Sequence, residues 1–266
     1  MSPEKYVHAN TEDAVERERL GLLELTVDPI TIRRLEALAV GEGWNCLEVG
    51  AGGGSVARWL AQRVGPGGKV VATDINTRFL RDLTVPNIEV HQHNILTDDL
   101  EEGRYDLVHC RALLMHLSEP EKALGRMAAA ERPGGWLLIE EADYSTLGAA
   151  HPKHPSAEPF NAANRTAIEE LRRRGVLDPI FGRRVRDLVE GVGFIDVGHE
   201  GVVGIHRGGE PRARFQKMTT EVSARPMVAA GVITEEQYAH VQRSFEDPTF
   251  YFVGPIMFAA WGRRPN

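Results

Sequence analysis

The chain has 266 residues and a formal net charge of −7, with an isoelectric point near 5.8, long enough to bury one large core. That acidity argues against a protein that lives on nucleic acid or on an anionic membrane, because both need a basic face to displace counterions. The N-terminal stretch MSPEKYVHANTEDAVERERL is charged rather than ordered like a secretory signal, and no apolar run approaches the length of a membrane span, so a soluble, cytoplasmic protein is expected.

In chain order, Thr11 to Leu25 combines early acidic residues with leucines and predicts an amphipathic helix capped by a Thr or Asn. Asp28-Pro29 predicts the N-cap and first position of a second helix running to Gly41. Trp44 to Val49 predicts the first strand. Val56-Ala57, Leu60-Ala61 and Val64 then recur at helical spacing until Gly65-Pro66-Gly67-Gly68. Lys69 to Thr73 predicts a second strand ending at Asp74, Asn76 to Leu83 a short helix, Ile88 to His93 a third strand and Tyr105 to Cys110 a fourth. Ser118 to Glu131 predicts a helix, after which Pro133-Gly134-Gly135 turns the chain into a fifth strand, Trp136 to Glu140. Strands alternating with helices imply βαβ units and a mostly parallel sheet, with ligands beyond the carboxyl ends of its strands. Later the rhythm breaks: helical stretches over 146–176 and 211–245 accompany two final strands, Phe194 to Ile205 and Thr249 to Trp261, expected to pair antiparallel at one sheet edge.

The chemistry concentrates in WNCLEVGAGGG, residues 44–54, where Glu48-x-Gly50-x-Gly52-x-Gly54 sits between a strand and a helix. Glycines permit positive φ and let a ligand approach without a Cβ in the way. A dinucleotide site is the nearest competitor, but its spacing places Ser55 where a small apolar residue belongs, and a carboxylate at Glu48 repels a pyrophosphate. The same carboxylate suits a ligand carrying an amino group and a sulfonium. Asp74, at a strand end, is placed to accept from a vicinal diol, or else to cap the next helix.

The successive runs CLEVGAGGGS, VVATDI, YDLVHCRALLMHL and ERPGGWLLIEE resemble the ordered motifs of class I S-adenosylmethionine-dependent methyltransferases, especially standalone small-molecule enzymes, over about residues 44–143. The resemblance implies an α/β fold: a Rossmann-like seven-stranded mostly parallel sheet with helices on both faces and an antiparallel edge strand, supplemented by N-terminal helices and helical insertions forming a lid. With the pattern of elements outside that match, the expected organisation is an N-terminal helical cap over 1–42, a cofactor-binding core over 43–145, a helical insertion and returning helix over 146–192, and the last two strands with their insertion over 193–266, all one elaborated domain. S-adenosyl-L-methionine is the implied cofactor. Glu48 and the backbone near Gly50 would hold its amino end, with Gly52 and Gly54 passing beneath it. Asp74 would receive the ribose hydroxyls, and Ile75 would pack on the adenine. Asn94 stands where many relatives carry an aspartate for the adenine amine, a mild change because an amide oxygen also accepts; a turn role is an equal alternative. The Ile95 amide would meet a ring nitrogen, and Cys110 and Arg111 would border the methionine portion.

His116, six residues past the fourth strand, is the candidate general base, with helix capping or packing as the alternative. Glu141 is the second catalytic candidate, with Asp143 and Tyr144 lining the same mouth. His91 and His93 share a strand face without a third ligand, His199 could face the pocket, and no metal is expected. The Arg172-Arg173-Arg174 cluster lacks interleaved aromatics and predicts a solvated helix face. Cys46 and Cys110 predict buried thiols, and His109 in place of a proline before Cys110 disfavours a cytosine C5 nucleophile. Phe250 or Phe252 could face a flat acceptor; the other aromatics of the C-terminal region predict core. The expected partner is a small-molecule methyl acceptor, O- or N-methylated, in an enzyme of secondary metabolism; a homodimer is compatible with the sequence. The rivals are an S-adenosylmethionine-binding protein repurposed for other chemistry or regulation, and a nicotinamide-dependent reductase, disfavoured by Glu48 and by the lack of a Tyr-x-x-x-Lys pair.

Overall fold

The computed structural model describes residues 11–175 and 177–266. Residues 1–10 of the expected N-terminal cap and residue 176 of the expected insertion lie outside the described residues. In chain order the elements are α1 (Asp13–Ala37), β1 (Asn45–Val49), α2 (Ser55–Val64), β2 (Lys69–Asp74), β3 (Ile88–Gln92), β4 (Tyr105–Arg111), α3 (Pro120–Ala130), β5 (Glu131–Asp143), β6 (Gly148–Ala149) and α4 (Ala157–Arg174). They continue with α5 (Val185–Gly191), β7 (Ile195–Val202), β8 (Ile205–Arg207), α6 (Pro211–Ala229), α7 (Glu235–Glu246), β9 (Tyr251–Val253) and β10 (Ile256–Arg263). Two compact units share the chain: one of 27–141, 181–200 and 258–266, the other of the remaining described residues.

The first unit carries a seven-stranded sheet in the order β3-β2-β1-β4-β5-β10-β7. β1, β2, β3, β4 and β5 pair parallel, so their carboxyl ends open on one side of the sheet. The two last strands are neighbours, as expected, with β10 between β5 and the edge strand β7; the start of β5 bonds the end of β10, through Gly134 N–H to Arg264 O at 2.9 Å, so β10 runs opposite to β5. Its core joins Leu35, Cys46, Val56, Ala57, Leu60, Val64, Val70, Leu107 and Leu138. The expected buried face of α2 is the observed one: Val56, Ala57, Leu60, Ala61 and Val64. Both cysteines are free and buried.

The second unit holds a three-stranded sheet, β6-β9-β8, paired antiparallel. A core of Phe160, Ala163, Ala213, Val241, Phe245, Phe250 and Phe252 packs among α4, α6, α7 and β9. Phe160 meets Phe245 edge to face at 5.3 Å between ring centroids. Phe250 and Phe252 are fully buried in this core, which corrects the expectation that either faces an acceptor. Arg173 and Arg174 of the basic cluster pair with Glu170 at 2.7 and 2.5 Å on the last turns of α4.

Several expected elements differ. The two N-terminal helices are one, α1, with Pro29 inside it. Asp28 does not cap a helix: its carboxylate lies 2.9 Å from the Arg111 guanidinium, and bonds from Thr31 and Arg34 to Glu140 anchor the same turns, offsetting the roughly 3 kcal/mol that an interior proline costs. The helix expected over Asn76 to Leu83 shortens to a single 3₁₀ turn, Thr77–Phe79, because Asn76 caps Arg78 N–H and Leu80 and Leu83 pack up to Gly54. Pro133-Gly134-Gly135 does not turn; it bulges within a longer β5, since a Cβ at Gly135 would lie 2.8 Å from Tyr105 O. Both last strands break in two, at Val203-Gly204 and at Gly254-Pro255, where a proline cannot donate to a ladder. Their inner pieces, β8 and β9, leave the large sheet for the small one. No helix of the described residues is long and apolar enough to cross a membrane.

Candidate active site

The site lies at the carboxyl ends of β1, β2, β4 and β5, within the first unit. After Val49 the chain turns with Gly50 at φ 75°, Gly52 at 56° and Gly54 at 82°, a left-handed series that side-chain-bearing residues avoid. Gly50 and Ala51 N–H both donate to Thr73 O, at 2.8 and 2.9 Å, fastening the loop to the neighbouring strand. Gly54 caps α2, and a Cβ there would lie 3.0 Å from Leu80. The loop is thus a bare-backbone cradle directed at a helix N-terminus, where N–H groups face outward.

Asp74 ends β2 with one oxygen accepting from Gly52 N–H at 3.0 Å and the other from Asn76 N–H at 2.9 Å. Each oxygen keeps a second lone pair for a ligand hydroxyl. Burial holds the Asp74 carboxyl above its usual range, partly offset by the Asn76, Gly52 and Ile75 amides. Next to it Ile75 is 41% exposed, an apolar side chain left for a flat ligand to cover. Asn94 accepts from Leu96 N–H at 3.0 Å through its side-chain oxygen, and its own N–H meets Asp98 at 2.9 Å. It closes a turn, with one lone pair of that oxygen remaining. The Ile95 side chain is buried beneath it.

Glu48, buried on β1, has one oxygen 2.6 Å from His109 Nδ1. His109 Nε2 lies 3.2 Å from Glu140, which also accepts from Thr31 Oγ1 at 2.5 Å and from the Arg34 guanidinium. Burial alone would depress the fully buried His109, but Glu48 and Glu140 outweigh it and raise it to about 9, so both ring nitrogens donate at neutral pH. Burial pushes Glu140 upward, yet its bond to His109 and the charges of His109, Arg34 and Arg111 bring it down to about 2. Cys110 is buried between these strands, its thiol held well above the usual range by burial. Arg111 faces α1, donating to Thr31 at 2.9 Å.

Beyond β4 the backbone turns at Ala112, φ 51°, into a 3₁₀ turn over Leu114–His116. Leu113 packs over the cofactor loop, 3.2 Å from where a Gly50 Cβ would stand. His116 is half-buried on this turn. Glu141, fully buried, does not reach outward. One oxygen accepts from Leu113 and Leu114 N–H at 3.0 and 2.7 Å, the other from Met115 N–H at 3.4 Å, so the carboxylate holds the segment that carries His116. Burial raises Glu141 to about 7 against the pull of those three amides. In the second unit, buried Asp143 accepts from Ser145 N–H at 2.8 Å. His199 is exposed on β7. Among the described residues no three His, Cys, Asp or Glu side chains gather as a metal site.

His109, Thr31, Arg34 and Glu140 were not among the site residues expected from the sequence. The available signal was the position of Glu48, His109 and Glu140, each near the carboxyl end of a strand that pairs parallel with the next, where polar side chains in apolar runs converge.

The model of a methyltransferase domain matches residues 17–194. A methyltransferase named str2 from Strobilurus tenacellus is 28% identical over 179 residues, 67% of this chain and 63% of that protein. The chain spans 46% to 63% of the length of the curated relatives it matches. Among solved structures, a protein of Bacillus halodurans C-125 assigned to the methyltransferases aligns with TM-score 0.56 at 18% identity, over 88% of this chain and 98% of that one. Phosphoethanolamine N-methyltransferase 2 of Haemonchus contortus, solved with phosphomonomethylethanolamine and S-adenosylhomocysteine, aligns with TM-score 0.52 at 18% identity, over 85% of this chain and 50% of that one.

Proposed function

We propose, from the premise that the chain belongs to the class I S-adenosylmethionine-dependent methyltransferases, that it methylates an oxygen or nitrogen of a small-molecule metabolite, in secondary metabolism. The observation that carries this is the set at the strand ends of one unit: a cradle of left-handed glycines, a diol-accepting Asp74 and an exposed Ile75. When bound, S-adenosylmethionine supplies a methyl group made electrophilic by its sulfonium. Glu48 receives the ammonium end, and the backbone of Gly50, Gly52 and Gly54 admits the chain of the ligand without a Cβ between. Asp74 takes the ribose hydroxyls on the lone pairs its own loop leaves, while Ile75 covers one adenine face. Asn94 and the Ile95 N–H meet the adenine edge; Cys110 and Arg111 border the methionine portion through their backbone, since one side chain is buried and the other faces α1.

His116 is the base in this reading: it takes the proton that an acceptor hydroxyl or ammonium must lose as its lone pair bonds carbon. Glu141 is a positioning residue, fixing Leu113, Leu114 and Met115 so that the turn presents His116. A small acceptor fits a chain of formal net charge −7, and a small amine accompanies the same fold in the Haemonchus contortus enzyme.

The test combines calorimetric titration with S-adenosylhomocysteine and an acceptor panel of phenols, carboxylic acids and amines, with S-adenosylhomocysteine formation as readout. Binding plus turnover on a panel member supports the reading, and H116A then lowers kcat by about a hundredfold or more with the S-adenosylhomocysteine Kd unchanged. Absence of binding refutes the cofactor site. Binding without turnover across the panel favours a repurposed binder instead.

A further inference from the structure

We propose that His109 is a positioning residue for the Glu48 carboxylate, the central member of a buried polar row that ties the cofactor loop to α1. The inference rests on Glu48 as the receiver of the cofactor's ammonium group. Within β4, Leu107, Val108 and Cys110 are fully buried, and His109 is equally so. An aliphatic side chain would fill that place without stripping water from an imidazole and two carboxylates, an exchange that often leaves stability unchanged or improved. The row is therefore weakly explained by stability.

Its geometry has a direction. Charges alternate along Glu48, His109, Glu140, Arg34 and Glu200, with each neighbour in hydrogen-bond contact; Arg34 Nε reaches Glu200 at 2.6 Å. His109 is held at both ring nitrogens, so the ring cannot rotate away from Glu48. Glu48 commits one oxygen to His109, and the other has no partner among the described residues. A carboxylate bound at one oxygen by a cation presents the second oxygen in a fixed direction. Without the ring, nothing fixes the bonded Glu48 oxygen, and the second oxygen loses its set direction toward an ammonium group.

The experiment uses two ligands that differ at the end Glu48 faces. S-adenosylhomocysteine carries the amino-acid end; 5′-methylthioadenosine keeps the adenosine and thioether but lacks it. Titration of wild-type protein and H109V is expected to show S-adenosylhomocysteine binding weakened about tenfold or more, with 5′-methylthioadenosine binding changed less than about twofold. A merely structural role would weaken both alike. Equal losses for the two ligands, or no loss for either, would overturn the proposal. H109Q, which retains a donor but no charge, serves the same comparison if H109V does not fold, with a smaller selective loss expected. Failure of wild-type protein to bind S-adenosylhomocysteine at all would refute the cofactor-site assignment itself, a result separate from any behaviour of the variants.

Discussion

Replacing Glu141 with glutamine should change how stability depends on pH, by an amount the buried carboxyl sets. Glu141 stands at about 7 in the folded chain against 4.5 for the free side chain, with burial as the leading cause. Between those values the folded protein holds a proton that the unfolded chain has released. Stability is therefore full below about pH 4.5, falls as pH rises toward 7, and levels off above it. At about 1.4 kcal/mol per pH unit the fall amounts to roughly 3 kcal/mol. In E141Q the amide oxygen can still accept from Leu113 and Leu114 N–H, and only the 3.4 Å contact to Met115 is lost. Urea unfolding of both proteins from pH 4.5 to 8.5 gives the difference in stability, in which every other titrating group common to the two cancels. That difference should shift in favour of E141Q by roughly 3 kcal/mol up to pH 7 and then stay level. A difference flat within about 0.5 kcal/mol would refute the assignment of a protonated, amide-bound Glu141. E141A, by contrast, strands three backbone donors, those of Leu113, Leu114 and Met115, at about 1–3 kcal/mol each and should lower both stability and turnover.

Gly54→Ala places a Cβ on a residue at φ 82° and 3.0 Å from Leu80, so a loss of about 2–4 kcal/mol in urea unfolding is expected, together with weaker S-adenosylhomocysteine binding; full stability in the variant would contradict the described loop. Glu131, whose two oxygens are buried without a hydrogen-bond partner, is raised to about 9 by burial against the opposing charge of Arg264. Its folded form keeps the proton, so wild-type stability declines from about pH 4.5 through 9, and E131Q should raise Tm more at pH 8 than at pH 5, by several degrees. Equal shifts at the two pH values would count against a neutral buried Glu131.

The parts of the fold that could be read from the sequence are those whose cause is local. Residues 44–54 announce a strand, a glycine turn and a helix because each signal sits within a few residues of the others, and α2 buries the five positions its spacing marks. Elements decided by distant contacts were misread. Pro29 looked like a helix start because its partners, Arg111 for Asp28 and Glu140 for Thr31 and Arg34, lie 80 or more residues away in sequence. The last strands looked continuous because nothing near Gly204 or Gly254 declares that β8 and β9 join a different sheet.

The same division runs through the site. The contacts expected for the cofactor fall on strand ends and on backbone: the spacing of the glycine run points to Glu48, and the family resemblance adds the roles of Asp74 and Ile75. Glu141 looked catalytic by position, since it also follows a strand, but position does not report where a side chain points, and its oxygens turn inward to three amides. His109 shows the converse: it lies inside an apolar strand and carries no motif, yet parallel pairing sets it beside Glu48 in register. Because β1 and β4 are parallel, residues at equal distance from their carboxyl ends become neighbours, and a polar residue just before one cofactor-facing strand end is best interpreted together with its counterparts on the adjoining strands. Applied here, that rule joins Glu48 to His109, and His109 reaches Glu140 diagonally, two residues beyond its register partner Leu138.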